Sequence, residues 1–356
     1  MKAVALAAGK GTRLYPLTGE IPKPMAPVAD TPIIAHIFSL LATHGVREVH
    51  VNVHYLADAL LEAYGEESTM NGMKVHLSGE EELLGTAGGA KRLAAHFDDT
   101  FVVVSGDALT DIDIGALVDF HREKGALATV ALRRVHDTTG VGVVEIDEDC
   151  KILDFQEKPS PEEAISTLAN TGIYVLEPRA LEYIPDGAFF DFAKDVFPKL
   201  LEHGERFVGY QGDFYWSDIG TLEAYRRAQY DVLSGKVKAR IPGEKRGEGL
   251  WVGEDAQIHP SATIDGHVLV GRHAVVGRGV TLSGDVTVGS GCRVRPDATI
   301  KRSTLLPGAS VGDGAYIEDC IVGHALQQPR RYDVRPGETI RGGALFRAPT
   351  ERRKSR

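Results

Sequence analysis

The spacing of apolar residues changes near residue 234, and the two regimes predict two architectures. In the first, short apolar runs alternate with amphipathic stretches. Lys2 to Ala8 reads as a strand, and Pro32 to Thr43 (PIIAHIFSLLAT) as a helix capped by Asp30 or Thr31, with Ile33, Ile37, Leu40 and Leu41 along one face. Glu48 to Val53 is the next strand, Ala57 to Ala63 a helix, Val75 to Leu77 a strand and Thr86 to Ala95 a helix. Phe101 to Val104 (FVVV) is continuously apolar, as a strand buried on both faces must be. This alternation predicts an α/β fold with a mostly parallel, doubly wound sheet, whose ligands bind beyond the carboxyl ends of the strands.

Residues 234–250 (SGKVKARIPGEKRGEGL) mix glycine, charge and one proline, which suits a linker. Beyond them the period becomes six. Val252, Ile258, Ile264, Val270, Val276, Leu282, Val288, Val294 and Ile300 follow at strict spacing, with small or β-branched residues such as Ala256, Ala262 and Val268 four positions after each. One residue is dropped after Ile300 and the pattern resumes at Val311 and Ile317. Each hexapeptide supplies one flat strand and a turn, and stacking buries an aliphatic residue that no single coil can bury. The predicted organisation is a catalytic domain over 1–233, a linker over 234–250, a hexapeptide-repeat, left-handed parallel β-helix over 251–323 and a basic tail over 324–356.

Composition bounds the function. The chain has 356 residues and a net charge of -10, which argues against a nucleic-acid partner. No run reaches the roughly 18 apolar residues of a membrane span, so no membrane partner is expected. Cys150, Cys292 and Cys320 are scattered and odd in number, which fits neither a disulfide framework nor a zinc site and suits a reducing cytoplasm. The nine lysines and arginines after residue 323, against Asp333, Glu338 and Glu351, read as a solvated tail.

The chemistry starts directly behind the first strand, in LAAGKGTRLYPLTGEIPKPMAP (6–27). Gly9 and Gly11 let backbone N–H groups approach an anion, and Lys10 and Arg13 add positive charge, with arginine able to grip two phosphate oxygens at once. Lys23 stands between Pro22 and Pro24, which hold its backbone extended. Neither the Walker A loop nor the dinucleotide fingerprint fits this spacing, and a plain tight turn is the structural alternative. After FVVV, Ser105-Gly106-Asp107 places a carboxylate at the end of a central strand, and Trp216-Ser217-Asp218-Ile219-Gly220-Thr221 offers a second. Each aspartate alone can serve as a helix cap; together they suit magnesium, which takes one or two carboxylates and completes its shell with phosphates. Glu157-Lys158-Pro159, closing a hairpin-like segment that begins at Gly142, pairs a carboxylate for sugar hydroxyls with an ammonium for a phosphate. Asn170-Thr171-Gly172 adds an amide before the strand Ile173 to Leu176.

GKGTRLYPLT with PKPM, the Gly-Asp of SGD, EKP, NTGIY and WSDIGT, in this order from Lys2 to about Ser234, closely resemble the sugar-1-phosphate nucleotidylyltransferases. That resemblance implies a Rossmann-like sheet and the joining of a nucleoside triphosphate to a sugar 1-phosphate with release of pyrophosphate. It implies Arg13 and the backbone from Gly9 through Lys10 and Gly11 to Thr12 on the β- and γ-phosphates, and Lys23 on the α-phosphate. Asp107 and Asp218 would hold magnesium. Glu157 and Asn170, with Gly172, would receive the sugar, and Lys158 its phosphate. Main chain around Leu6, Ala8, Gly85 and Thr86 would receive the nucleoside. Leu84-Gly85-Thr86-Ala87-Gly88-Gly89 and the run FDFAKDVFPKLL (190–201) are similar to the mannose-1-phosphate guanylyltransferase group, with a glucose-1-phosphate thymidylyl- or uridylyltransferase as the alternative.

Two other classes compete. Hexapeptide helices also carry acyltransferases, for which His259, His267, His273 and His324 are candidate bases. A non-catalytic paralogue would assemble through its β-helix; the exposed end of the coil stack predicts a homo-oligomer in either case. The alternating His50, Asn52 and His54 of HVNVHY read as one polar face of a strand rather than a metal site.

Overall fold

The opening apolar run forms β1 (Lys2–Leu6), and its alternation decides which layer each residue serves. Ala3 and Ala5 face one cluster with Ile34, Phe38 and Leu41; Val4 faces another with Phe101, Tyr174 and Phe197. The strand is therefore covered on both sides. In this computed structural model, which describes residues 1–19, 21–323 and 333–345, the chain divides into two compact units. Residues 1–10, 22–25 and 33–218 make the first; 11–21, 26–32 and 219 onward make the second. Helix Leu222–Leu233 thus belongs with the repeats rather than with the sheet.

After β1 the strands of the first unit are β2 (Glu48–Val53), β3 (Glu67–Met70), β4 (Met73–Gly79), β5 (Phe101–Ser105) and β6 (Ala128–Arg134). They continue as β7 (Val143–Ile146), β8 (Ile152–Gln156), β9 (Leu168–Leu176) and β10 (Phe207–Gln211). The parallel core runs β5-β1-β2-β4, with α1 (Ile33–Thr43), α2 (Ala57–Tyr64) and α3 (Gly85–Arg92) in its connections. The later half is mixed: β9 is antiparallel to β5 and β6, while β10 is parallel to β6. Leu6 is level with Asn52 on one side and Ser105 on the other, so three strands leave the sheet at one edge.

Local readings change in four places. Asp30 does not cap α1, because Ser290 occupies its carboxylate within the second unit. Asn170-Thr171-Gly172 lies inside β9 instead of ahead of it, at a break in the β9–β6 register where Gly172 has φ +73°. HVNVHY does give β2 one polar face, but that face is buried: His50 and Asn52 are 4% and 2% exposed. His96 stacks on His50 with ring centroids 4.1 Å apart, and Phe97 meets it edge-on. Lastly, part of the segment read as a basic tail continues the coil stack. Asp333–Val334 and Thr339–Leu345 pair in parallel with Ser310–Val311 and Tyr316–Val322, because Val334 and Ile340 supply the inward aliphatic side chains. Residues 324–332, including His324, and 346–356 lie outside the described residues.

In the second unit the period of six becomes a parallel β-helix. Val252, Val270 and Val288 align on one side, Ile258, Val276 and Val294 on the next, and Ile264, Leu282 and Ile300 on the third. The dropped residue is absorbed where Thr287 pairs with Thr304. The presumed linker contributes Glu244–Lys245, antiparallel to Leu250–Val252. The same unit holds a tight hairpin, Pro27–Val28 against Thr31–Pro32, with Ala29 and Asp30 at its tip at φ 47° and 59°. Tyr225 and Gln229 of helix Leu222–Leu233 both donate to the Pro27 carbonyl, and Gln229 Oε1 accepts from Ala29 N at 2.7 Å. Ser290 N and Oγ donate to the Asp30 carboxylate at 2.9 and 2.5 Å, and burial raises the pKa of this acid above its ordinary value.

Two outcomes follow. A Cβ on Gly271 would stand 2.6 Å from both Asp30 Oδ2 and the Ser290 backbone N, so Gly271→Ala should destabilise the chain by about 1–3 kcal/mol, read in thermal or urea unfolding. An unchanged transition would refute this packing. Burial, reinforced by the His96 and His76 charges, lowers the His50 pKa from 6.5 against the opposing pull of Glu48; Lys2 lies beside Glu48, and Glu67 faces His76. The unfolded chain therefore takes up the His50 proton first, and stability should decline as pH falls below 6.5 through the lowered native value. Urea titrations of His50→Gln should show a shallower decline than wild type over that window.

Candidate active site

Two distant carboxylate-bearing stretches meet because of one small ladder. Trp216–Ser217 pairs antiparallel with Leu109–Thr110, Ser217 opposite Leu109, which brings Asp218 beside the turn that carries Asp107. Neither aspartate is a helix cap. Asp113 caps helix Ile114–Lys124 by accepting from Ala116 N, and Thr221 caps helix Leu222–Leu233 by accepting from Ala224 N. Gly106 N donates to Leu6 O at 2.9 Å, fixing the Asp107 turn against the exit of β1. A Cβ on Gly106 would press on Leu6 O and Ala7.

Lys23 joins the two acids. Its ammonium lies 2.9 Å from Asp107 Oδ2 and donates to the Asp218 carbonyl, and the residue is 6% exposed while the Asp107 side chain is 35% exposed. A buried ammonium facing a half-open carboxylate leaves that carboxylate with room for a further ligand. Trp216 Nε1 donates to Thr171 O at 2.8 Å, so the same ladder also ties the Asp218 stretch to β9.

The proposed sugar residues gather at Gly142. Asn170 N donates to Gly142 O at 2.8 Å, and a Cβ on Gly142 would be 2.8 Å from Glu157 Oε2. Lys158 is exposed, has φ 51°, and pairs with Glu157 at 3.2 Å. Asn170 Oδ1 accepts from Gly172 N at 3.0 Å, and its Nδ2 donates to the Tyr174 hydroxyl, whose pKa burial pushes up and which therefore stays neutral. A side chain on Gly172 would meet Ser105 Oγ at 2.5 Å, so only glycine lets β9 approach β5 there. Among the described residues, no hydrogen bond or ion pair links Glu157, Lys158 or Asn170 to Lys23.

The start of α3, Leu84–Gly89, is locked from beneath. Gly85 has φ +75°, and a Cβ on it would strike Phe190 O at 2.5 Å; Ala87 N and Gly88 N both donate to that carbonyl. Thr86 Oγ1 donates to Asp191 Oδ2 at 2.8 Å and accepts from Phe192 N. Leu6 and Ala8 lie at the end of β1, while Gly9 and Lys10 are exposed and a Cβ on Gly9 would meet nothing within 4 Å. Gly11, Thr12 and Arg13 belong to the second unit. His259, His267 and His273, also of that unit, pair with Ser261, Asp285 and Asp255 on the coils. Sequence reasoning missed Asn52, Glu80, Ser105, Gly142 and Asp191; the buried polar pattern in HVNVHY was the one local hint.

Known proteins align with this chain along most of its length. The Nucleotidyl transferase family model matches residues 2–235, and the GMPPB C-terminal domain model matches residues 264–335. A UTP--glucose-1-phosphate uridylyltransferase of Synechocystis sp. is 39% identical over 338 residues, 90% of this chain and 87% of that protein. A mannose-1-phosphate guanylyltransferase of Mycobacterium tuberculosis is 35% identical over 318 residues, 89% of this chain and 82% of that protein. Among solved structures, HddC from Yersinia pseudotuberculosis complexed with GMP-PN shares 26% identity at a TM-score of 0.56, spanning 65% of this chain and 99% of that one. Among the described residues no helix is long and apolar enough to cross a membrane. With a family model covering its whole first two-thirds, and relatives aligned along nearly all of it, the chain belongs to the nucleotidyl transferase family, as a sugar-1-phosphate nucleotidyltransferase.

Proposed function

We propose that this nucleotidyltransferase joins GTP to mannose 1-phosphate, giving GDP-mannose and pyrophosphate. The observation that carries the choice is the GMPPB C-terminal domain match over residues 264–335, and the Mycobacterium tuberculosis guanylyltransferase, 35% identical, supports it. A uridylyl transfer to glucose 1-phosphate is the second reading, favoured by the Synechocystis relative at 39% identity.

The chemistry follows from charge. A sugar phosphate carries close to two negative charges at neutral pH, so its oxygen is a competent nucleophile without a general base. What it lacks is an approach to an α-phosphorus that is itself surrounded by negative oxygens. The protein's task is in-line alignment and neutralisation as charge moves onto pyrophosphate. In this reading Lys23 serves the α-phosphate, Arg13 and the Gly9–Thr12 backbone the leaving phosphates, and Lys158 the sugar phosphate. Glu157 and Asn170 orient the sugar hydroxyls beside Gly172, and main chain at Leu6, Ala8, Gly85 and Thr86 receives the nucleoside.

Magnesium would suit the carboxylates of Asp107 and Asp218; the Asp107 carboxylate and the Asp218 main-chain carbonyl both lie at the Lys23 ammonium, which supports the reading. Among the described residues no cluster of three or more metal-binding side chains forms a closed cage. An ion here would take its remaining ligands from substrate phosphates and water, and when bound would neutralise phosphate charge.

The decisive measurement is a pyrophosphate-release grid of the common nucleoside triphosphates against mannose, glucose and N-acetylglucosamine 1-phosphates with magnesium. GTP with mannose 1-phosphate should give the highest kcat/KM; a highest value for UTP with glucose 1-phosphate would replace this reading with the second. Arg13→Ala should cut pyrophosphate release by ~10²–10³ with an unchanged thermal transition, and Asp107→Ala should cut it as far while lowering that transition, because it strips the buried Lys23 ammonium of its countercharge. Either variant at near wild-type rate would remove its residue from the mechanism.

A further inference from the structure

Two acids follow Asp107 closely, and the roles above account for only one of them. Asp113 caps helix Ile114–Lys124, whereas half-buried Asp111 bonds a segment more than a hundred residues away. Its Oδ1 accepts from Tyr215 N at 2.7 Å, and its own N donates to Tyr215 O at 3.3 Å. Thr110 Oγ1 donates to the same carbonyl at 2.8 Å and accepts from Ile112 N at 3.2 Å. Residues 110 and 111 therefore hold both polar atoms of the Tyr215 main chain, immediately before the ladder that pairs Trp216 with Thr110 and Ser217 with Leu109.

That ladder is two pairs long. A two-stranded pairing so short is marginal in water, and bringing distant segments together costs chain entropy as well. A backbone N–H on a carboxylate is a charge-assisted bond, stronger than the neutral bonds of the ladder. Upstream, the segment is fastened to β6, where Gly212 N donates to Leu132 O at 3.3 Å and Arg133 pairs with Asp213 at 2.6 Å. Those bonds fix where the segment leaves the sheet; the bond to Asp111 fixes where it passes Asp107. Asp111 stands four residues after Asp107, and Tyr215 three before Asp218. One short piece of chain thus carries one of the two carboxylates and grips the segment that carries the other.

We propose that Asp111 is a positioning residue: its carboxylate sets the separation of Asp107 and Asp218, and with it the affinity of the site for magnesium, without itself binding the ion. The role rests on the reading of Asp107 and Asp218 as the magnesium carboxylates.

Two substitutions separate the hydrogen bond from the charge. Asp111→Ala removes the acceptor, whereas Asp111→Asn keeps an oxygen for Tyr215 N and gives up the charge that a metal ligand would need. In hydrogen exchange on the metal-free full chain, the amides of residues 215–218 should exchange about tenfold faster in Asp111→Ala and near the wild-type rate in Asp111→Asn. Manganese, titrated in place of magnesium with a non-hydrolysable nucleoside triphosphate and followed by electron paramagnetic resonance, should bind about tenfold more weakly to Asp111→Ala and almost normally to Asp111→Asn. Pyrophosphate release by Asp111→Ala should show a raised magnesium half-saturation, a kcat largely restored at saturating magnesium, and a KM for the sugar 1-phosphate near wild type. Thr110→Val, which withdraws the donor to Tyr215 O, should shift exchange and manganese binding in the same direction, and takes the place of Asp111→Ala if thermal melts show the latter unfolded.

Wild-type exchange in Asp111→Ala, or faster exchange with unaltered manganese binding, would overturn the clamp. So would an Asp111→Asn protein as impaired as Asp111→Ala, because the charge and not the hydrogen bond would then be at work. Asp218→Ala is the control for the underlying reading: it should weaken manganese binding in the presence of intact Asp111. Unchanged binding there would overturn the placement of the ion, and the role of Asp111 with it.

Discussion

A lysine ammonium removed from water organises this site. Stripping an ammonium of its hydration costs several kcal/mol unless a full opposite charge and good hydrogen bonds replace it. Lys23 finds both, in the Asp107 carboxylate and the Asp218 carbonyl. Those partners are more than a hundred residues apart and meet only because Ser217 pairs with Leu109. The ladder in turn is braced by Trp216 on Thr171 and by Tyr215 N on Asp111 Oδ1 at 2.7 Å. The ion pair, the two-stranded ladder and the carboxyl edge of the sheet are thus one arrangement, in which each part gives the others a reason to be where they are.

Glycine does different work at different points of that edge. At Gly172 and Gly85 the backbone has positive φ and a Cβ would collide with Ser105 Oγ or Phe190 O, so glycine serves close approach between segments of the protein itself. At Gly9 nothing lies within 4 Å of a Cβ, so packing gives no reason for glycine there. Open space over backbone amides is what an anion-binding turn requires. The same residue type therefore separates structural glycines from one that the proposed phosphate chemistry explains better than packing does.

Much of the fold was legible because its signals are local. The period of six fixes which side chains enter the β-helix, and FVVV, KAVAL and EVHVNV announce the parallel core by composition alone. Antiparallel β9 was half-read, since Asn170 to Gly172 looks like a turn and its strand pairing depends on β6, nearly forty residues away. The strands after residue 333 were missed because the segment before them interrupts the period. At the site, motif residues such as Lys23, Asp107 and Asp218 were legible as types. Their convergence was not, because it depends on which distant strands pair. Glu80 and Asp191 carried even less signal, and Asn52 only the polar alternation of HVNVHY, because their work is done by long-range hydrogen bonds.

The cationic stretch behind β1 reads as one loop but is several structural pieces. Its glycine-arginine part and its later hairpin belong to the second unit, and Pro22–Met25 belongs to the first. Prolines at 22, 24 and 27 restrict the backbone dihedrals along the later part of this path. The hairpin is the better fastened: buried Tyr225 and Gln229 hold the Pro27 carbonyl, and Ser290 holds Asp30 despite the cost of burying a carboxylate.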